Sequence, residues 1–168
     1  KAIRALKWAV EQMEDRYRLL VEESPDAIGI YQEDKLVFVN STGAKLLGAR
    51  TQAELLGRSG ARLIHPEDLP AARERLRRRL AGETGLYPAE VRYLRLDGTA
   101  LPVEVIATPI LFAGKPAVQF IARDITARKQ AEAALRESET WFRILSTLAP
   151  VGIFQTDAQG NCQFVNDR

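Results

Sequence analysis

Few side chains in this chain carry reactive chemistry, and each points to a different kind. Cys162, within the run "GNCQFV" from Gly160 to Val165, is the single cysteine of the 168 residues. Its thiol becomes a nucleophile only where its neighbours favour the thiolate. His65 is the single histidine, a group able to ligate a metal or move a proton near neutral pH. The run "RERLRRRL", Arg73 to Leu80, has the charge to hold nucleic acid or an anionic lipid. Asp124 and Thr126 flank Ile125 and can hydrogen-bond backbone N–H groups where a strand gives way to a helix. A metal site needs several His, Cys or carboxylate ligands brought together, and the sequence shows no such cluster, so no metal is expected.

Composition weighs against most of these chemistries. The arginine run closes a helical pattern, where positive charge suits the C-terminal end of the dipole, and it is read as a solvated face. A net charge of +2 is too weak to argue for nucleic acid, and no zinc pattern, phosphate loop or aromatic stacking motif supports it. His65 stands in "HPED" and is read as structural or solvent-facing. Hydrophobic residues make up 46% and charged residues 27%, a globular balance. One cysteine closes no internal disulfide. No apolar run approaches the roughly 18 residues of a membrane span, and no signal peptide opens the chain. The expectation is a soluble, cytoplasmic segment without membrane contact. Lys1 falls inside a helical pattern and "QFVNDR" stops inside a strand-like one, which reads as a piece of a longer multidomain protein, one whose membrane anchoring this piece does not address.

The elements around these residues follow from periodicity. Ile3, Leu6, Val10, Met13, Tyr17 and Leu20 recur at alternating steps of three and four in a stretch free of Gly and Pro. That heptad seam predicts an amphipathic helix over residues 1–24, ended by Pro25, and a homodimer formed through it. Trp8 falls off the seam. "DAIGIY" and "KLVFVN" read as strands joined by a tight hairpin. "STGAKLLG", with Asn40 and Ser41 as N-cap residues, and "TQAELLG", capped by Thr51 and ended by Gly57, read as short helices. Residues 67–81 read as a longer helix, with Glu67 and Asp68 at its positive end and Leu69, Ala72, Leu76 and Leu80 as its apolar stripe. Residues 89–96, 100–111 and 115–124 read as strands joined by hairpins at "DG" and "AGK". The order predicts an α+β fold: a five-stranded antiparallel sheet with one helical connection, flanked by N-terminal and C-terminal amphipathic helices.

This order, with "SPDAIGIY", "FVN", "LLG", "IHPED", "LDGT" and above all "ARDITARKQAEAAL", resembles a PAS sensor domain over residues 16–135. The resemblance implies that Asp124, Ile125 and Thr126 end the last strand, open an output helix and relay the signal. In light-sensing members the reactive cysteine lies at the start of the helix before the long one, where this chain has Gly60. Haem-binding members of the oxygen-sensor type use a histidine inside that helix, and residues 67–81 contain none. "GNCQFV" loosely resembles the cysteine run of light-oxygen-voltage flavin domains, but it lies elsewhere in the chain.

Its place is given by an internal repeat. "YRLLVEESP" matches "FRILSTLAP", "GIYQ" matches "GIFQ", and "FVN" recurs at Phe164. The organisation expected is a helix over 1–24, a PAS domain over 25–126, a connector helix over 127–148 and the start of a second PAS domain over 149–168. Cys162 then becomes an ordinary strand residue. A pocket between the sheet and the long helix is expected to draw on Ile28, Ile30, Phe38, Leu47, Leu55, Ile64, Leu76, Val91, Tyr93, Val105, Phe120 and Ala122. A packed core without a cavity uses the same residues, so the cofactor stays unknown, with flavin and fatty acid both left open. The reading is a sensory module that detects a small ligand or partner and signals through dimeric helices. Its output domain, a histidine kinase or a cyclic-dinucleotide enzyme, would lie elsewhere in the parent chain, and the segment itself is expected to catalyse nothing. The rival is a ligand-free module for dimerisation and relay.

Overall fold

A computed structural model of the protein describes residues 2–85, 88–148 and 152–165, with the backbone alone for 2–7 and 9–11. The chain divides into two compact units, Lys1–Thr126 and Ala127–Arg168. The first opens with helix α1 (Ala2–Glu22), followed by strands β1 (Ala27–Gln32) and β2 (Lys35–Val39), helix α2 (Ser41–Leu46), helix α3 (Leu69–Leu80) and strands β3 (Ala89–Leu94), β4 (Ala100–Phe112) and β5 (Lys115–Asp124). Helix α4 (Thr126–Leu148) and the hairpin β6 (Phe154–Thr156) and β7 (Cys162–Val165) follow.

The five strands form one antiparallel sheet in the order β2-β1-β5-β4-β3. β2 and β3 therefore lie at opposite edges, and the segment between them has to cross a face of the sheet. That crossing carries α2, two 3-10 turns (Gln52–Glu54 and Gly60–Leu63) and α3. The core lies beneath it, with Leu36, Leu47, Leu55, Val103, Phe120 and Ala122 all at most 2% exposed.

Asn40 ties three elements together. Its Oδ1 accepts from Ile28 N at 2.9 Å and from Gly43 N at 2.8 Å. Its Nδ2 donates to Val21 O at 2.8 Å and to Asp26 O at 3.0 Å. All four hydrogen-bonding positions of the amide are used, in a side chain with no solvent exposure. The expected N-cap is present, and the same side chain also fastens the end of α1 and the start of β1. Glu22 adds a second tie, accepting from Ser41 N and Oγ at 2.8 and 2.7 Å. The serine hydroxyl bond is the main reason its carboxyl is held below the usual range.

Three local expectations are corrected. "TQAELLG" is not a helix: Thr51 makes no capping bond and only the Gln52–Glu54 turn forms. Gly57 N donates to Leu36 O and Leu36 N to Arg58 O instead, so pairing with β2 outweighs a weak helical propensity. The second correction concerns the start of α3, which begins at Leu69 rather than at Glu67; the Asp68 carboxylate turns to Arg92. The third is the start of α4. Asp124 Oδ1 accepts from Thr126 N at 2.7 Å, while Thr126 Oγ1 is buried with no hydrogen-bond partner among the described residues.

In the second unit, β6 and β7 pair antiparallel, and Phe142 of α4 meets Phe164 with ring centroids 5.2 Å apart. Cys162 is an exposed free thiol in β7.

Candidate functional site

A cavity of about 410 Å³ lies between α3 and the sheet, within the size range of small-molecule sites. One wall is α3, through Leu69, Ala72, Leu76 and Leu80; β3 and β4 supply Val91, Val105 and Ala107, and β5 supplies Ala117, Val118 and Phe120.

Its floor is aromatic. Phe120 stacks on Tyr31 with centroids 5.1 Å apart and meets Tyr93 edge-on at 6.2 Å. Two glycines make room for this cluster. A Cβ on Gly29 would sit 2.3 Å from Phe120 Cε1, and one on Gly60 would sit 2.9 Å from Tyr31 Cε1. Burial raises both phenols above their ordinary pKa, Tyr31 further by proximity to Tyr93 and Asp34. Both hydroxyls thus stay protonated at physiological pH and can donate.

Of the residues expected to line a pocket, Ile64, Leu76, Val91, Tyr93, Val105 and Phe120 do line this cavity. Leu47, Leu55 and Ala122 are core residues away from it. Ile28, Ile30 and Phe38 are the substantive correction. The inward residues of β1 are Ala27 and Gly29, with Tyr31 continuing the same alternation into the cavity. In β2 the register shifts, so that Ile30 pairs with Phe38 but Tyr31 pairs with Leu36. This bulge passes over Val37, leaves Leu36 and Val39 buried, and turns Phe38 to the other face beside Ile30. Tyr31, Gly60 and Ala107 are lining residues the sequence reading missed. Period-two spacing puts Tyr31 on the same face as Ala27 and Gly29, but does not by itself say that this face is the inward one.

The arginine run also divides. Arg77 pairs with Glu74 at 2.7 Å, and Arg78 pairs with Glu83, as a solvated face would. Arg73, Arg75 and Arg79 line the cavity instead, the last two half-buried. His65 lies outside the lining, its backbone N–H bonded to Arg92 O at 2.8 Å. Among the described residues no three His, Cys, Asp or Glu side chains converge as a metal would require, and no helix is long and apolar enough to cross a membrane.

The α3 end of the cavity is pinned by Arg92 of β3, which donates to Asp68 Oδ2 and Oδ1 at 3.0 and 2.8 Å and to Glu67 at 2.7 Å. The Arg92 hydrogen bond is the main cause holding the Asp68 carboxyl down at about 2, against 3.8 ordinarily. A lowered carboxyl stabilises the fold above its unfolded pKa and loses that contribution as pH falls through the folded one. Asp68→Asn is therefore expected to cost on the order of 1–2 kcal/mol at neutral pH. It should also remove the part of the acid destabilisation that develops between about pH 4 and pH 2. Urea midpoints measured across that range for both proteins check this.

The architecture is a single antiparallel sheet with a helical crossing over one face and a small, mostly apolar cavity between them. The chain belongs to the PAS domain family, whose model matches residues 25–127; the domain is itself a non-catalytic module. It is 31% identical to Sporulation kinase A of Bacillus subtilis over 130 residues, 77% of this chain and 22% of the kinase. It is 29% identical to the Methyl sulfide methyltransferase-associated sensor of Methanosarcina acetivorans over 130 residues, 76% of this chain and 13% of that protein. Among solved structures, the PAS domain of an HTR-like protein from Haloarcula marismortui superposes with a TM-score of 0.56 at 27% identity, covering 73% of this chain and 99% of that one. The chain thus spans about a fifth or less of the curated relatives it matches.

Proposed function

We propose that residues 25–126 are the input module of a signalling protein, holding a small ligand in the cavity between α3 and the sheet. The observation that carries this reading is that β5 both walls the cavity and leads directly into α4. Ala117, Val118 and Phe120 line it, and the same strand ends at Asp124, whose carboxylate caps the first amide of the helix. Ile125, buried in the joint, donates its N–H to Pro102 O of β4 at 3.1 Å. A ligand that fits better with one arrangement of β4 and β5 than with another biases the joint by that difference in affinity. α4 is then the connector helix, residues 127–148, and residues 149–168 begin a second PAS repeat. The similarity to Sporulation kinase A supports a kinase output domain in the parent chain, with a cyclic-dinucleotide enzyme as the alternative.

A second reading, a ligand-free module for dimerisation and relay, draws on α1. Met13, Tyr17 and Leu20, of the proposed dimer seam, are each more than half exposed, as is Trp8 off the seam; the side chains of Ile3, Leu6 and Val10 lie outside the described residues. The two readings are separated by native mass spectrometry with a visible absorption spectrum on the purified protein. The input-module reading expects a dimer carrying an extra small mass, and a Met13→Asp plus Leu20→Asp variant that is monomeric yet keeps that mass. A clean dimer without the added mass in either protein favours the scaffold, and an unchanged molecular weight in the variant removes α1 from the interface.

A further inference from the structure

The polar groups facing the cavity have one feature in common. Neither the Tyr31 nor the Tyr93 hydroxyl has a hydrogen-bond partner among the described residues, although Tyr93 is only 4% exposed. Arg75, half-buried on the cavity side of α3, makes no ion pair or hydrogen bond to any of the described residues. Arginines elsewhere on the same helix take carboxylates, Arg77 from Glu74 and Arg78 from Glu83. The acceptors of the walls are mostly spent. The Asp34 carboxylate is engaged by Ser59 Oγ at 2.5 Å and Ala61 N at 3.4 Å, which leaves Glu33, exposed on the turn between β1 and β2.

The guanidinium and the two phenols are donors facing the cavity, and a ligand that accepts from them gains hydrogen bonds that they do not make to any described residue. The remainder of the wall is aliphatic or aromatic. We propose that the occupant is an amphipathic carboxylate, its apolar body against Leu69, Ala72, Leu76 and Phe120, its carboxylate bonded by Arg75, and the two phenols donating to oxygens of the same molecule. This rests on the cavity being a ligand site and adds the charge and donor–acceptor sense of what it takes. A guanidinium matches a carboxylate with two parallel N–H donors, and an ammonium in the same place would meet the Arg75 charge unfavourably.

The test uses the protein of residues 1–168 and three probes of one chain length: octanoate, 1-octanol and octylamine, titrated by calorimetry at neutral pH. Octanoate is expected to bind at least about 10-fold more tightly than octanol, with octylamine weakest. Arg75→Gln should bring octanoate down to the octanol affinity while leaving octanol unchanged. Tyr31→Phe plus Tyr93→Phe should weaken octanoate and octanol together. If octanol binds and octanoate binds no better, or if Arg75→Gln leaves the preference intact, the carboxylate assignment is overturned and the cavity remains a ligand site. If none of the three binds, both the assignment and the input-module reading fall.

Discussion

Replacing Asn40 by aspartate is expected to cost the unit Lys1–Thr126 about 3–5 kcal/mol at neutral pH, the penalty for leaving a buried charge without a partner. The two N–H donors to Val21 O and Asp26 O disappear, and a carboxylate then faces two carbonyl oxygens without access to water. Both acceptor bonds, from Ile28 N and Gly43 N, can persist, so the loss falls mainly on the tie between α1 and β1. The sign of the pH dependence follows. The folded state raises the carboxyl pKa of this variant, so its penalty is largest above that raised value and shrinks as pH falls toward the unfolded value near 4. The protonated form also recovers one donor. Urea unfolding at neutral pH and near pH 4 checks both parts. A variant equally stable at both would mean that Asn40 is not sealed from water.

Filling the cavity is the second large effect. Ala107 lies on β4, paired with Phe120 across to β5, and lines the cavity. Ala107→Trp places an indole in the space proposed for the ligand. Because that space is open, the overpacking cost should stay at or below about 1–3 kcal/mol, while octanoate binding falls by about 100-fold or more, ~2.7 kcal/mol. A variant that folds and binds octanoate as tightly as the parent would move the binding site out of this cavity.

How much of this was legible in the sequence differs by element, for physical reasons. The hairpins at Asp97-Gly98 and Ala113-Gly114 and the alternation of Leu101, Val103 and Val105 announced the β3–β4–β5 meander, because turn chemistry and a half-buried face both leave local marks. β1 left no such mark. Apolar residues stand on both of its faces, so Ile28 and Ile30 looked as suitable for the core as Ala27 and Gly29. The choice is made at long range, where Gly29 admits the Phe120 ring and the bulge at Val37 turns Phe38 outward. Asn40 was readable as a helix cap, but not as a clasp on α1 and β1, since Val21 and Asp26 are distant in the chain. The arginine run misled in a similar way: charge alone predicts solvent, while the position of Arg75 on α3 sets it against the cavity.

Energetic coupling between the cavity and the Asp124–Thr126 joint is read by amide hydrogen exchange at the joint. The amides to follow are Ile125, bonded to Pro102 O, and Thr126, bonded to the Asp124 carboxylate, with Gly98, bonded to Arg95 O in a distant hairpin, as the control. They are compared in the empty protein, with saturating octanoate, and in Ala107→Trp. Coupling predicts that exchange at Ile125 and Thr126 shifts by about tenfold, ~1.4 kcal/mol, in the same direction for both ways of filling the cavity, with Gly98 unchanged. Identical rates at Ile125 and Thr126 in all three states, with octanoate shown to occupy the second, would mean that the cavity and the joint are not coupled.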